Sequence, residues 1–133
     1  MLVAIADTHA AIWYLYTDPR LSSRADTFMQ SAEANGDQIG LSSITFVEMV
    51  YLIEKGRIPA EGLSRLARII DEPEGVFAEI PVDLKVARAL SQIDAAKIPD
   101  MPDRIIAATA LLRAIPIISR DGKIRLSGLT TLW

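Results

Sequence analysis

The chain has 133 residues, 50% apolar and 23% charged, which suits one self-sufficient domain and is too apolar for disorder. It holds no cysteine and a single histidine, His9, which excludes disulfide scaffolds, zinc fingers, thiolate nucleophiles, iron–sulfur clusters and histidine-rich zinc sites. The formal net charge is −3, so nucleic acid cannot be held by bulk positive charge, and the position of the acids becomes informative.

Leu2 to Ala6 reads as a short buried strand, and Thr8 to Tyr16 as a helix ended by Asp18-Pro19. Ser22 to Ala34 is a helix with Ala25, Phe28, Met29 and Ala32 on one face. Asn35-Gly36-Asp37 marks a turn, and Gln38 to Leu41 a second strand. Ser43 to Glu54 is helical with Gly56 suited to its C-terminal cap, and so is Ala60 to Asp71, with Leu63, Leu66, Ala67 and Ile70 on one face. Val76 to Val82 holds a weaker strand, Asp83 to Ile93 a helix, and Asp103 to Arg113 a strongly apolar helix behind Pro99 and Pro102. Ile115 to Ser119 is a strand, Asp121-Gly122 a turn, and Leu129 to Trp133 a last strand. Strands alternate with helices throughout, so the expected fold is α/β with a mostly parallel sheet, a single domain over residues 1–133. Charge interrupts every apolar run well short of the roughly 18–20 residues that span a membrane. The N-terminus lacks a basic leader region, and the expected compartment is the cytoplasm.

Certain acids stand out. Asp7 directly follows the first strand, where it also suits a helix cap. Glu48 fills the i+4 slot of a stripe made by Ile44, Val47 and Tyr51, and a carboxylate there needs a partner or a metal. Asp103 lies in a first helical turn, where the helix dipole favours an acid, with Asp100 as the candidate cap. It shares a face with Ala107 and Ala110, small residues that suggest close packing on the sheet. Asp121 follows the fourth strand in a turn sequence. In an open parallel sheet, the carboxyl ends of strands at the switch in strand order form the ligand crevice. Carboxylates gathered there repel one another, and a hard divalent cation such as Mg²⁺ or Mn²⁺ removes the conflict. The chemistry expected is phosphodiester hydrolysis by a metal-activated water.

Several segments resemble those of the PIN-domain family, especially the VapC-type toxins of bacterial toxin–antitoxin pairs. They are Leu2 to Trp13 around Asp7, Ser42-Ser43-Ile44-Thr45-Phe46-Val47-Glu48, Asp100 to Ala110 around Asp103, and Ser119-Arg120-Asp121. The resemblance covers essentially the whole chain. In the third segment Pro102 directly precedes Asp103 and Pro99 precedes Asp100, which departs from the family's usual pattern, while the Asp-Arg-Ile-Ile-Ala run is intact.

The resemblance implies a three-layer α/β/α sandwich, an acidic pocket for Mg²⁺ or Mn²⁺, ribonuclease activity, a small antitoxin partner and a homodimer. It implies Asp7 and Asp103 as principal metal ligands, Glu48 completing the site, and Asp121 holding the metal or its waters. Thr8, Ser43 and Ser119 would be the hydroxyls that orient these acids. Arg104 and Arg120 are candidates to contact phosphate, and His9 reads as a helix residue hydrogen-bonded near the site. Trp13, Tyr14 and Tyr16 read as core packing, with an interface as the alternative. The other classes weighed are a PIN-like interaction module without catalysis and a receiver-like phospho-acceptor domain.

Overall fold

Five short strands carry the architecture of the computed structural model, which describes residues 1–133. They are β1 (Leu2–Ala6), β2 (Gln38–Ser42), β3 (Phe77–Ile80), β4 (Ile117–Ile118) and β5 (Thr131–Leu132). They pair in the order β3-β2-β1-β4-β5, every pair parallel. The helices are α1 (Thr8–Leu15), α2 (Ser23–Ala34), α3 (Ser43–Glu54), α4 (Gly62–Asp71), α5 (Leu84–Leu90), α6 (Met101–Arg113) and α7 (Gly122–Arg125). None is long and apolar enough to cross a membrane.

The period of two along each strand sorts the core into two layers. Ala4, Ala6, Ile39, Leu41, Phe77 and Ile118 face Ala10, Trp13, Ala25, Met29, Met49 and Leu66, contributed by α1 to α4. Ile5, Ile80 and Ile117 face Ile106, Ala107 and Ala110 of α6 and Ile124 of α7. Helix α5 packs outside α6 through Val86, Ala89 and Ala108. The result is the expected α/β/α sandwich. Each buried isoleucine contributes about 1.5–3 kcal/mol through removal from water. Ala107 and Ala110 are buried, so the small face of α6 does lie in the core.

Gly40 shows how tightly the second layer closes. It sits in β2 opposite Ile5 of β1. A Cβ at Gly40 would lie 2.6 Å from Ile5 Cδ1 and 2.9 Å from Ile80 Cγ1. The two isoleucines therefore close over the glycine from both sides.

Some elements differ from the sequence reading. Asp121-Gly122 opens a short helix rather than a plain turn, because the Asp121 carboxylate accepts from two following N–H groups and Ile124 is pulled into the core. On α3 the stripe of Ile44, Val47 and Tyr51 is not the buried face: Val47 is 63% and Tyr51 54% exposed. The buried positions of that helix are Thr45 and Met49. On α4, Leu66 is buried while Ala67 is exposed.

The chain steps from β1 to β2 to β3 on one side, then crosses to β4 and β5 on the other. The strand order therefore switches between β1 and β4, and the crevice beyond their carboxyl ends is where such sheets hold ligands.

Candidate acidic site

Asp7 leaves β1 at that crevice. Its backbone N–H donates to the Ile118 carbonyl of β4 at 3.0 Å, which fixes its place at the switch point. Its Oδ1 accepts from Ala10 N–H at 2.8 Å and caps α1. Capping and site formation are thus compatible, because a carboxylate has a second oxygen to offer. Asp7 is only 7% exposed. Burial raises its pKa, and the Ser119 hydroxyl and the Ala10 N–H act against that.

Asp121 follows β4 and caps α7, with Oδ1 accepting from Lys123 N–H at 2.8 Å and Ile124 N–H at 3.2 Å. The Ser119 hydroxyl accepts from the Asp121 N–H at 3.0 Å. Asp100 caps α6 by accepting from Asp103 N–H at 3.2 Å, and Pro102 occupies the first turn. Asp103 comes next on that turn and caps nothing.

These elements bring together a cavity of about 420 Å³ lined by Asp7, Glu48, Asp100, Asp103 and Asp121, with Thr8, His9, Trp13 and Arg120 completing its wall. Glu48 reaches it from the middle of α3. Burial raises the Glu48 carboxyl, the Thr8 hydroxyl opposes this, and Asp100 pushes it up again. Asp103 is the most perturbed. Burial, then the charges of Asp100, Asp121, Asp7 and Glu48, push it up to about 7. Every other carboxylate of the cavity thus adds to that rise.

No three of these side chains are drawn together tightly enough to chelate an ion directly. The donor set is nonetheless all-oxygen, anionic and under mutual repulsion, with room for an ion that keeps several of its waters. That is the chemistry preferred by Mg²⁺ or Mn²⁺ rather than by softer metals.

The supporting residues divide. Thr8 and Ser119 lie where the sequence reading put them, beside Glu48 and Asp7. Ser43 does not orient a carboxylate. Its hydroxyl accepts from Val82 N–H at 3.0 Å and ties α3 to the segment after β3. Its neighbour Ser42 supplies the cap of α3. Arg120 lines the cavity, whereas Arg104 does not; Arg104 Nε is buried without a partner and Nη2 lies 3.8 Å from Met101 Sδ. His9 lines the cavity by packing on the Trp13 ring, with centroids 5.6 Å apart, rather than through a hydrogen bond.

Two wall residues escaped the sequence reading. Asp100 was legible only as a cap, although Asp100 and Asp103 are both acids within one helical turn. Trp13 reads as core, and it is 4% exposed, yet its ring also forms one side of the cavity.

The receiver-like alternative fails on topology. Such domains order their strands 2-1-3-4-5, whereas this sheet runs 3-2-1-4-5.

Comparison with known proteins agrees with the fold. The PIN domain family profile matches residues 4–126. No curated protein matches the chain. Among solved structures, VapBC2 from Rickettsia felis bound to a promoter DNA fragment is similar at 15% identity and a TM-score of 0.72, covering 98% of this chain and 97% of that one. DNA-bound VapBC from Salmonella typhimurium is similar at 21% identity and a TM-score of 0.73, again covering 98% and 97%. A toxin–antitoxin complex from Klebsiella pneumoniae is similar at 26% identity and a TM-score of 0.65, covering 98% and 96%.

Proposed function

The chain belongs to the PIN domain family, and from that premise we propose that it is a Mg²⁺- or Mn²⁺-dependent endoribonuclease, the toxin of a toxin–antitoxin pair. The observation that carries this reading is the convergence of Asp7, Glu48, Asp100, Asp103 and Asp121 on one cavity at the switch point of the sheet. A structural role alone would disperse such charges, since each raises the cost of the others. Residues 1–133 act in this reading as one domain.

Asp7 and Asp103 are the principal metal ligands, Glu48 completes the set, and Asp121 holds the metal or its waters. The metal, when bound, eases loss of a proton from water and neutralises charge at the scissile phosphate. The chain supplies the rest. The Ala10 N–H holds Asp7 Oδ1 in place, so the carboxylate keeps a fixed direction, with the Ser119 hydroxyl favouring its charged form. Thr8 does the same for Glu48. Burial of Asp7 and the Trp13 wall limit competing water.

The partner follows from the family and from the similar complexes. An antitoxin of the type in the similar complexes would lay an apolar segment on the surface and place a cationic side chain in the acid cavity. A homodimer and a cytoplasmic location belong to this reading.

One observation favours a second reading, an interaction module without catalysis: no three of the acids form a ready-made group for an ion. The experiment that separates the two is cleavage of total cellular RNA by purified protein, with Mg²⁺ or Mn²⁺ and with a chelator, beside Asp103→Asn. Discrete fragments that require metal and vanish in the variant support the nuclease. Absence of both cleavage and metal binding supports the module.

A further inference from the structure

Trp13 carries two guanidinium groups. Arg20 lies 5.1 Å and Arg120 4.6 Å from its ring centroid. The ring itself is anchored, being 4% exposed and packed against Trp133 at 6.0 Å between centroids. The two arginines differ in what their edges do. Arg20 Nε and Nη2 are both taken by Asp18, at 3.1 Å and 2.7 Å. Arg120 is exposed, lines the acid cavity, and makes neither an ion pair nor a hydrogen bond. That is unexpected for the only arginine or lysine on a wall with five carboxylates.

A guanidinium held over an aromatic ring by its charge still has N–H donors free to bond. We infer that Arg120, held by Trp13 at the cavity edge, grips a backbone phosphate of single-stranded RNA through those donors. This rests on the nuclease reading and deepens it. That hold keeps the side chain from collapsing onto Asp7, Asp103 or Asp121, so the cation remains beside the acids without neutralising them. The fork geometry matches two oxygens of a phosphodiester, which a lysine ammonium cannot do. Trp13 is in this view a positioning residue and Arg120 the contact. Arg20, the other guanidinium on that ring, is already satisfied by Asp18.

The test uses the full chain and a fluorescein-labelled oligouridylate with Mg²⁺, in an Asp103→Asn background so that the probe is not cut. Arg120→Ala is expected to weaken binding about tenfold or more. It also lowers the slope of log affinity against log salt by about 0.7, the value for one phosphate contact on a single strand. Arg120→Lys keeps the slope and recovers only part of the affinity. In the cleaving chain, Arg120→Ala raises KM and leaves kcat unchanged. Trp13→Leu weakens binding while keeping the slope, and because Trp13 is in the core, the Arg120 variants suffice without it. Unchanged affinity and slope in Arg120→Ala, in a chain whose wild type cleaves RNA, overturns the inference and leaves the nuclease reading intact. A loss confined to kcat also overturns it. A wild type that neither binds nor cleaves RNA removes both.

Discussion

The Thr8 hydroxyl donates to Glu48 Oε1 across 2.5 Å while lying 3.1 Å from the Thr45 hydroxyl. The first residue of α1, two steps past the end of β1, thus aims a carboxylate from the middle of α3. Thr45 is fully buried, so the pair also satisfies a polar group in the core. Thr8→Val keeps the shape and removes both bonds. Metal affinity, read by titration calorimetry, is expected to fall about 10–100-fold, the usual effect of losing a group that orients a ligand. Thr8→Ser should recover most of it. Unchanged affinity in Thr8→Val would show that Glu48 needs no such guide.

The carboxylates also set how the protein responds to pH. Burial and the neighbouring acids raise Asp103 from the 3.8 of a free aspartate to about 7. Asp7 and Glu48 are raised too, first by burial. Across that window the folded chain holds more protons than the unfolded one, so stability declines as pH rises. The contribution is complete below the free aspartate value and is lost through the raised one. Chelator-treated protein is therefore expected to have a higher Tm at about pH 5 than at about pH 8. Added Mg²⁺ should raise Tm most at the higher pH, and Asp103→Asn should flatten both trends. A metal-free Tm that climbs between those two pH values would contradict the crowding of charge.

Gly40 offers a test of the fold independent of the site. Gly40→Ala forces Ile5 or Ile80 off its present position, since the new methyl would approach them to 2.6 Å and 2.9 Å. The expected cost is about 1–3 kcal/mol, typical of overpacking a close-fitted core. Chemical denaturation of the variant against wild type measures it. A second change, Ile5→Val, should return part of the loss, because it removes the Cδ1 atom that the new methyl would meet at 2.6 Å.

The alternation of strands and helices, the acids at strand ends and the packing face of α2 are all legible in the residues, because each depends on local periodicity. The face of α3 is not. Nearly every position from Ile44 to Ile53 is apolar, so period alone cannot choose between the Val47–Tyr51 stripe and the Thr45–Met49 stripe, and tertiary packing chose the latter. Arg120 and Trp13 meet across more than a hundred positions of sequence, and nothing local signals their contact. Ser43 was misplaced for a related reason. A hydroxyl beside a motif acid is drawn equally to any unpaired N–H, and here Val82 supplies one from another strand crossing.

The acids of the cavity are not equally free to change. Asp7, Asp100 and Asp121 each begin a helix as well as facing the cavity. Folding would preserve them in a descendant that had abandoned its chemistry, since replacing a capping aspartate by alanine costs about 0.5–2 kcal/mol. Glu48 and Asp103 start no helix and bear the burden of being buried among like charges. In a lineage drifting towards inactivity those two would be the first to go, with a gain in stability. On the nuclease reading, their joint presence here is therefore more telling for the site than the three acids that the helices would keep in any case.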